Sequence, residues 1–170
     1  MKGHQARQFL KSLTTYLPAH GCRLTPQGFD GFDLYKRITL QLPAIPQVGR
    51  KDLKNIVCAT PPVPAQGQHA AEAAWLDFAY IQMGERNECT EGSSVEGLHI
   101  THVHAIFQLP AVYNVPVAAP LAYVEWFTPF GQQDLLTGLY SISRSTWMGH
   151  VYSEIIDVNR IIQNCHLLPH

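Results

Sequence analysis

Two histidines one residue apart are the feature of this sequence that comes closest to a chemical motif. His102 and His104 lie in the largely apolar stretch Leu98 to Leu109, whose composition predicts a β-strand. Alternate residues of a strand project from the same face, so both imidazoles could ligate one metal ion. His150, followed by Glu154, is the candidate for a third ligand. The simplest interpretation needs no cofactor, and the alternative is one divalent transition metal.

A glycine shortly before the His-x-His sequence makes this segment similar to the first motif of cupins. That resemblance implies a metal-dependent enzyme that uses His102, His104 and His150. The chain departs from the cupin pattern, because the glutamate expected a few residues later is missing and Gln108 stands near its place. The proline and glycine of the second cupin motif are also absent around His150. A cupin-like enzyme is therefore an alternative to a domain without catalytic activity.

Aromatic residues with a nearby carboxylate form a second candidate site. Tyr123, Glu125 and Phe127 share one face of a predicted strand, and Tyr80 and Tyr140 could approach them in a sheet. Such a face can hold a methylated ammonium group by cation–π attraction. The competing interpretation is that the aromatic residues are core anchors of a well-buried domain, above all Trp75, Trp126 and Phe127.

The charge balance bears on nucleic acid as a partner. Twelve basic and thirteen acidic residues give a formal net charge of −1, so the chain lacks an overall positive field. The densest basic cluster consists of Lys36, Arg37, Arg50, Lys51 and Lys54. We interpret it as solvated turn residues and keep weak nucleic-acid binding as a further alternative.

Motifs for other chemistries are missing from the sequence. There is no Gly-x-Ser-x-Gly nucleophile motif, and no glycine-rich loop is followed by Lys-Ser/Thr. None of the four cysteines forms a Cys-x-x-Cys pair, which indicates buried free thiols rather than a zinc ribbon. We also expect no signal peptide, no membrane span and an intracellular location, with the nucleus as one option.

The surrounding pattern predicts a mainly β protein. Apolar residues recur at helical spacing from His4 to Leu17, and about seven short strands follow, most of them separated by proline and glycine. We predict a single domain over residues 1–170, with a helix and linker in 1–20 and a β domain in 29–170. A glutamate-rich stretch, about 84–97, is the expected mobile loop. The predicted fold is a small antiparallel β-barrel or sandwich with a short N-terminal helix.

Four blocks in the C-terminal half carry a family resemblance. They are Leu98-His-Ile-Thr-His-Val-His-Ala-Ile-Phe-Gln-Leu-Pro110, Leu121-Ala-Tyr-Val-Glu-Trp-Phe-Thr-Pro-Phe130, Gly138-Leu-Tyr-Ser-Ile-Ser-Arg-Ser145 and Asn164-Cys-His-Leu-Leu-Pro169. In this order they resemble the C-terminal region of transposon-related proteins of basidiomycete fungi, of the Plavaka or KDZ-associated kind. Relatives tend to carry arginines where this chain has His99, His102 and His104. If those arginines touch nucleic acid, this copy should bind it poorly at neutral pH.

The order of the blocks is also similar, more distantly, to bromo-adjacent homology (BAH) domains. That similarity implies a β-barrel-like module that binds chromatin proteins, with the aromatic residues above as its cage. Fold similarity does not by itself carry function. The first hypothesis is an intracellular, non-catalytic interaction domain of fungal transposon origin that binds protein or chromatin and no membrane.

Overall fold

The computed structural model describes residues 6–43, 53–67, 69–85, 87–117 and 119–169, and within them the chain is mainly β with one short helix. The predicted fold class, antiparallel β with an N-terminal helix, is confirmed. The helix and strands are α1 Phe9–Ala19, β1 Asp33–Tyr35, β2 Arg37–Leu42, β3 Leu53–Thr60, β4 Trp75–Leu76, β5 Phe78–Gln82, β6 Leu98–Gln108, β7 Leu121–Trp126, β8 Thr146–Trp147, β9 His150–Val151, β10 Ser153–Asp157 and β11 Ile161–Cys165. No helix in these ranges is both long and apolar enough to cross a bilayer.

The strands form two main sheets and one separate hairpin. The larger sheet has the order β10-β7-β6-β5-β11, and β1 pairs with the far end of β6, beyond the reach of β5. The smaller sheet has the order β2-β3-β4, and β8 pairs with β9. All of these pairs are antiparallel.

The chain passes between the two main sheets at two polar residues. Lys36 separates β1 from β2, and its carbonyl oxygen accepts a hydrogen bond from the N–H of Ala59 at 2.8 Å. Asp77 separates β4 from β5, and its carboxylate accepts a hydrogen bond from the N–H of Cys58 at 2.7 Å. The apolar pattern from Trp75 to Met83 predicts one continuous strand, but the strand is interrupted at Asp77, where the chain changes sheets.

Each face of the larger sheet is covered by a different element. One face packs against β2 and β3, where Val57 and Ala59 lie fully buried against residues of β5, β6 and β7. The other face packs against α1 through Phe9, Leu13 and Leu17. The fold is thus layered, with one apolar cluster between the sheets and another beneath the helix.

Helix α1 ends in a hydrogen-bonded Schellman motif. Gly21 has a φ of 80°, a left-handed conformation that costs glycine little. The N–H groups of Gly21 and Cys22 donate to the carbonyls of Pro18 and Leu17. The sequence predicts that Pro18 and Gly21 together end the helix. Pro18 lies inside the last turn, and Gly21 supplies the reversal of direction.

The segment between β7 and β8 differs from the prediction. The sequence pattern predicts a short strand over Leu139 to Ser143, but residues 127–144 form an irregular hairpin with isolated bridges only, Phe127 to Arg144 and Gln133 to Tyr140. Pro129 lacks an N–H for a regular ladder.

Candidate functional site

A β-bulge in β6 places three potential metal ligands together. His102 pairs with Glu125 of β7 and Val103 pairs with Val124, but the next pair is Ala105 with Tyr123. His104 is therefore the extra residue on β6, and the simple alternation predicted from Leu98 to Leu109 is wrong beyond this point. Before the bulge Val103 packs between the sheets, and after it Ala105 packs beneath α1.

The bulge brings two imidazoles and one carboxylate within reach of a single ion. The ring centroids of His102 and His104 are 4.2 Å apart, and His104 Nε2 lies 3.1 Å from Glu125 Oε2. One ligand atom from each of the three residues lies within 4.8 Å of the others. His104 is 2% exposed and Glu125 is 9% exposed, so both are shielded from solvent.

The contacts of His102 assign the proton on its ring. Its Nε2 lies 3.3 Å from the carbonyl oxygen of Leu76. A carbonyl only accepts, so Nε2 carries the proton and Nδ1 keeps its lone pair. Nδ1 is buried and has no hydrogen-bond partner among the described residues. Burial and the charge of His104 lower the pKa of His102 to about 4, which keeps the ring neutral.

Glu125 is held as a carboxylate. Burial by itself raises its pKa, but the interaction with His104 and the positive charge of Arg144 outweigh that effect, and the pKa lies below its usual value. Arg144 Nη1 is 3.4 Å from Glu125 Oε2, and the Arg144 side chain is 58% exposed. The site therefore combines a buried anion, a neutral imidazole and a guanidinium at its solvent side.

The third ligand predicted from sequence, His150, is not part of this group. It lies exposed on β9, next to the two-residue turn Met148–Gly149, and pairs with Trp147 across the β8–β9 hairpin. The clustered carboxylate is Glu125, which the sequence had assigned to an aromatic cage. Glu125 lies opposite His102 because β6 pairs with β7. Knowledge of that pairing would have been needed to identify Glu125 as a ligand from the sequence.

The residues of the predicted aromatic cage do not share one open surface. Tyr123 is fully buried beneath α1. Tyr80, Phe127 and Tyr140 belong to a different cluster, centred on Phe130 and packed under the 127–144 hairpin. Tyr123 is thus a core residue, and the other three rings are half-buried against a separate apolar cluster.

The basic residues are spread along the smaller sheet. Arg37 pairs with Cys58 at one end of the β2–β3 ladder, and Lys54 pairs with Gln41 near the other end. Lys36, Arg37 and Lys54 are exposed. Arg50 and Lys51 lie outside the described residues. The described part of the cluster thus lacks a compact basic patch.

No protein-family model, no curated protein and no solved structure matches this chain. Function must therefore be argued from the chemistry of the site itself.

Proposed function

We propose that this chain is a metal-binding domain in which His102, His104 and Glu125 hold one divalent transition-metal ion. The observation that carries the proposal is the clustering of their three ligand atoms within 4.8 Å. Two histidines and one carboxylate form a donor set typical of non-haem iron and catalytic zinc sites. Imidazole and carboxylate ligands accommodate zinc, iron, nickel and copper, so this class of ion is the expected occupant.

The hydrogen bond to Leu76 supports this proposal. A metal-bound histidine usually donates its second ring N–H to a carbonyl or carboxylate, which fixes the ring and its tautomer. His102 already makes this contact through Nε2, and the lone pair of Nδ1 is the one left for an ion. Because the pKa of His102 is about 4, no proton has to leave the ring near neutral pH.

Arg144 takes part in the charge balance of the site. Its guanidinium and a divalent cation would both compete for Glu125 Oε2, which Arg144 now approaches to 3.4 Å. Since more than half of the Arg144 side chain is exposed, it can turn toward water when an ion binds. The network His104–Glu125–Arg144 then serves as the ion-free form of the same site.

Three protein ligands are the number found in catalytic sites, where a fourth position is left for water or substrate. Structural zinc sites usually fill all four positions with side chains. The count of three ligands among the described residues therefore favours the alternative of a metal-dependent enzyme over a purely structural ion, with His150 replaced by Glu125 in the ligand set.

The test is metal analysis of the purified, untagged protein together with a Co²⁺ titration followed by visible absorption. We expect about one equivalent of ion bound to the wild type, and binding weakened at least about tenfold in His102→Ala and in Glu125→Ala, because each removes a ligand. His150→Ala is the matched control and should bind like the wild type. Loss of binding in His150→Ala alone, or no saturable binding by the wild type, would overturn the proposal.

A second candidate function is protein binding, as the family resemblance suggests. The observation in its favour is a turn that presents two leucines to solvent: Leu135 is 96% exposed and Leu136 is 97% exposed. The turn is fixed by Asp134, whose carboxylate accepts hydrogen bonds from the N–H groups of Leu136 and Thr137. Exposed large apolar side chains held in a fixed turn are suited to contact a partner.

We propose that this turn, residues 134–139, contacts a chromatin protein, which would place the domain in the nucleus. The probes are reconstituted histone octamers and nucleosomes. A Leu135→Ser, Leu136→Ser double variant should bind at least about tenfold more weakly than the wild type, because the apolar contact is lost. Val112→Ser removes another exposed apolar side chain and should leave binding unchanged. Equal binding by the double variant, or no binding by the wild type, would sink this candidate.

A further inference from the structure

An open cavity lies beside the point where the chain changes sheets at Asp77. It has a volume of about 410 Å³ and is formed by residues 73–78 and 165–167. Trp75 forms one wall, and its side chain is 65% exposed. Most of the remaining wall is apolar, including Leu76, Phe78 and Leu167. The cavity is therefore an apolar recess with one large aromatic ring open to solvent.

The ring of Trp75 is held in place by a carboxylate. Its indole N–H donates a hydrogen bond of 2.8 Å to Asp77 Oδ1. The other oxygen of Asp77 accepts from the N–H of Cys58, which anchors the carboxylate to the sheet. An anion on the indole N–H strengthens the negative potential of the ring face, and that face is what attracts a cation. The indole ring of Trp75 is thus hydrogen-bonded to an anchored carboxylate.

None of the ion pairs within the described ranges involves Asp77. The N–H of Cys58 and the indole N–H of Trp75, both neutral groups, donate to this carboxylate. Arg37 lies opposite Cys58 in the β2–β3 ladder, and its charge acts on the Cys58 thiol together with that of Asp77. A partly buried anion attracts a cation from solvent.

Cys165 also lines the cavity. Burial and the nearby charge of Asp77 raise the pKa of its thiol to about 11, so the thiol is neutral near pH 7 and adds no charge of its own. Asp77 thus supplies the negative charge at the cavity, and His166 is the other lining residue with a readily titratable side chain.

We propose that this cavity binds a methylated ammonium group, seated on the face of Trp75 and attracted by the charge of Asp77. A primary ammonium needs hydrogen-bond acceptors for its three N–H groups. Most of the cavity wall, including Leu76, Phe78 and Leu167, supplies none, and the acceptor side chains are confined to Asp77 and His166. A trimethylated ammonium keeps the charge, has no N–H to satisfy and buries its methyl groups against this apolar wall. The chemistry is shared by small quaternary amines and by trimethylated lysine side chains.

The inference is independent of the metal proposal, because none of the three metal ligands lines this cavity. It also differs from the cage expected from sequence, which involved Tyr80, Tyr123, Glu125, Phe127 and Tyr140. Trp75 was read as a core anchor, and its exposure is visible only in the structure.

The test follows the Trp75 indole N–H by ¹H–¹⁵N NMR during titration with choline. We expect a saturable shift of that signal, and at least about tenfold weaker binding of 3,3-dimethylbutanol, which has the same shape without the charge. Equal binding of the neutral compound, or the absence of a saturable shift, would overturn the inference. A trimethyllysine peptide and its unmethylated form, titrated in the same way, separate a protein-borne group from a free amine.

The matched variants are Trp75→Ala and Trp147→Ala. Trp147 is equally exposed, at 66%, but lies on β8 away from the cavity. Choline binding should fall at least about tenfold in Trp75→Ala and stay within about twofold of the wild type in Trp147→Ala. Trp75→Phe, which keeps a weaker aromatic face, should give an intermediate affinity. Unchanged binding by a folded Trp75→Ala variant would contradict the proposed site.

Discussion

Asn55 of β3 and Asn164 of β11 join the two main sheets through a pair of hydrogen bonds. Asn55 Nδ2 donates to Asn164 Oδ1, and the Asn164 N–H donates to Asn55 Oδ1, both at 2.8 Å. Asn164 Nδ2 also donates to the carbonyl of Ile56 at 3.1 Å. β11 is the edge strand of the larger sheet, so this contact fixes the edge to the layer that covers it.

Removing one partner of this pair should destabilise the fold. Asn55→Ala leaves the N–H and the amide oxygen of Asn164 without their partners, and we expect the free energy of unfolding to fall by about 1–2 kcal/mol. Urea denaturation followed by tryptophan fluorescence measures the change. Gln41→Ala on β2, an exposed residue of the same sheet, is the control and should be close to neutral. Equal effects of the two substitutions would mean that the asparagine pair contributes little.

Helix α1 offers two leucines with opposite environments. Leu13 is fully buried between the helix and the larger sheet, and Leu10 is 41% exposed. We expect Leu13→Ala to lower the free energy of unfolding by roughly 2–5 kcal/mol, because it leaves a cavity against the sheet. Leu10→Ala on the same helix should cost less than about 1 kcal/mol. Similar costs in thermal or urea unfolding would show that α1 does not pack on the sheet as described.

Glu154 accepts two hydrogen bonds that hold the start of β10. One comes from the buried indole N–H of Trp126 at 2.9 Å and the other from the Tyr152 hydroxyl at 2.7 Å. Glu154→Ala removes both acceptors and should cost about 1–3 kcal/mol of unfolding free energy. Glu154→Gln keeps one acceptor oxygen and should cost clearly less. If both variants lose the same stability, the negative charge and not the hydrogen bonding is the important property.

The raised pKa of Cys165 predicts slow alkylation. With a pKa of about 11, the thiolate fraction at pH 8 is on the order of one in a thousand, and the rate should rise with pH as the thiol ionises. Cys89 is exposed and should react with iodoacetamide first. Peptide mass spectrometry of timed samples gives both rates, and labelling in urea provides the unfolded reference. Comparable rates for the two folded-state cysteines would contradict the described burial of Cys165.

The fold was predictable because its signals are local. The apolar spacing of Phe9, Leu13 and Leu17 predicts the helix. The alternation within Phe29 to Leu42 predicts one strand, which the structure divides into β1 and β2. The interruption at Asp77 was not visible, because a polar residue between apolar neighbours also fits a continuous strand. The layer arrangement depends on contacts such as Asn55 with Asn164, which are distant in sequence.

The candidate site was predictable only in part. The His102–His104 spacing suggested a metal site, and the structure confirms that the two rings lie together. Simple strand alternation predicts that the two rings share a face, but in the structure they lie together because His104 occupies a β-bulge. Glu125 could not be assigned, since its closeness to His104 follows from the register of two strands. Trp75 was expected in the core, and nothing local in the sequence reveals that its ring stays exposed.

The bulge at His104 also bears on how this chain should be aligned with others. It acts as a one-residue insertion in β6, because the apolar residues on its two sides follow alternations of opposite phase. A relative with a regular strand would align with this chain only if a gap were placed at His104. Without that gap, Ala105 and Phe107, which pack beneath the helix, would be matched to positions that face the opposite sheet. Profiles of gapless strands would then score this segment poorly even where the fold is shared.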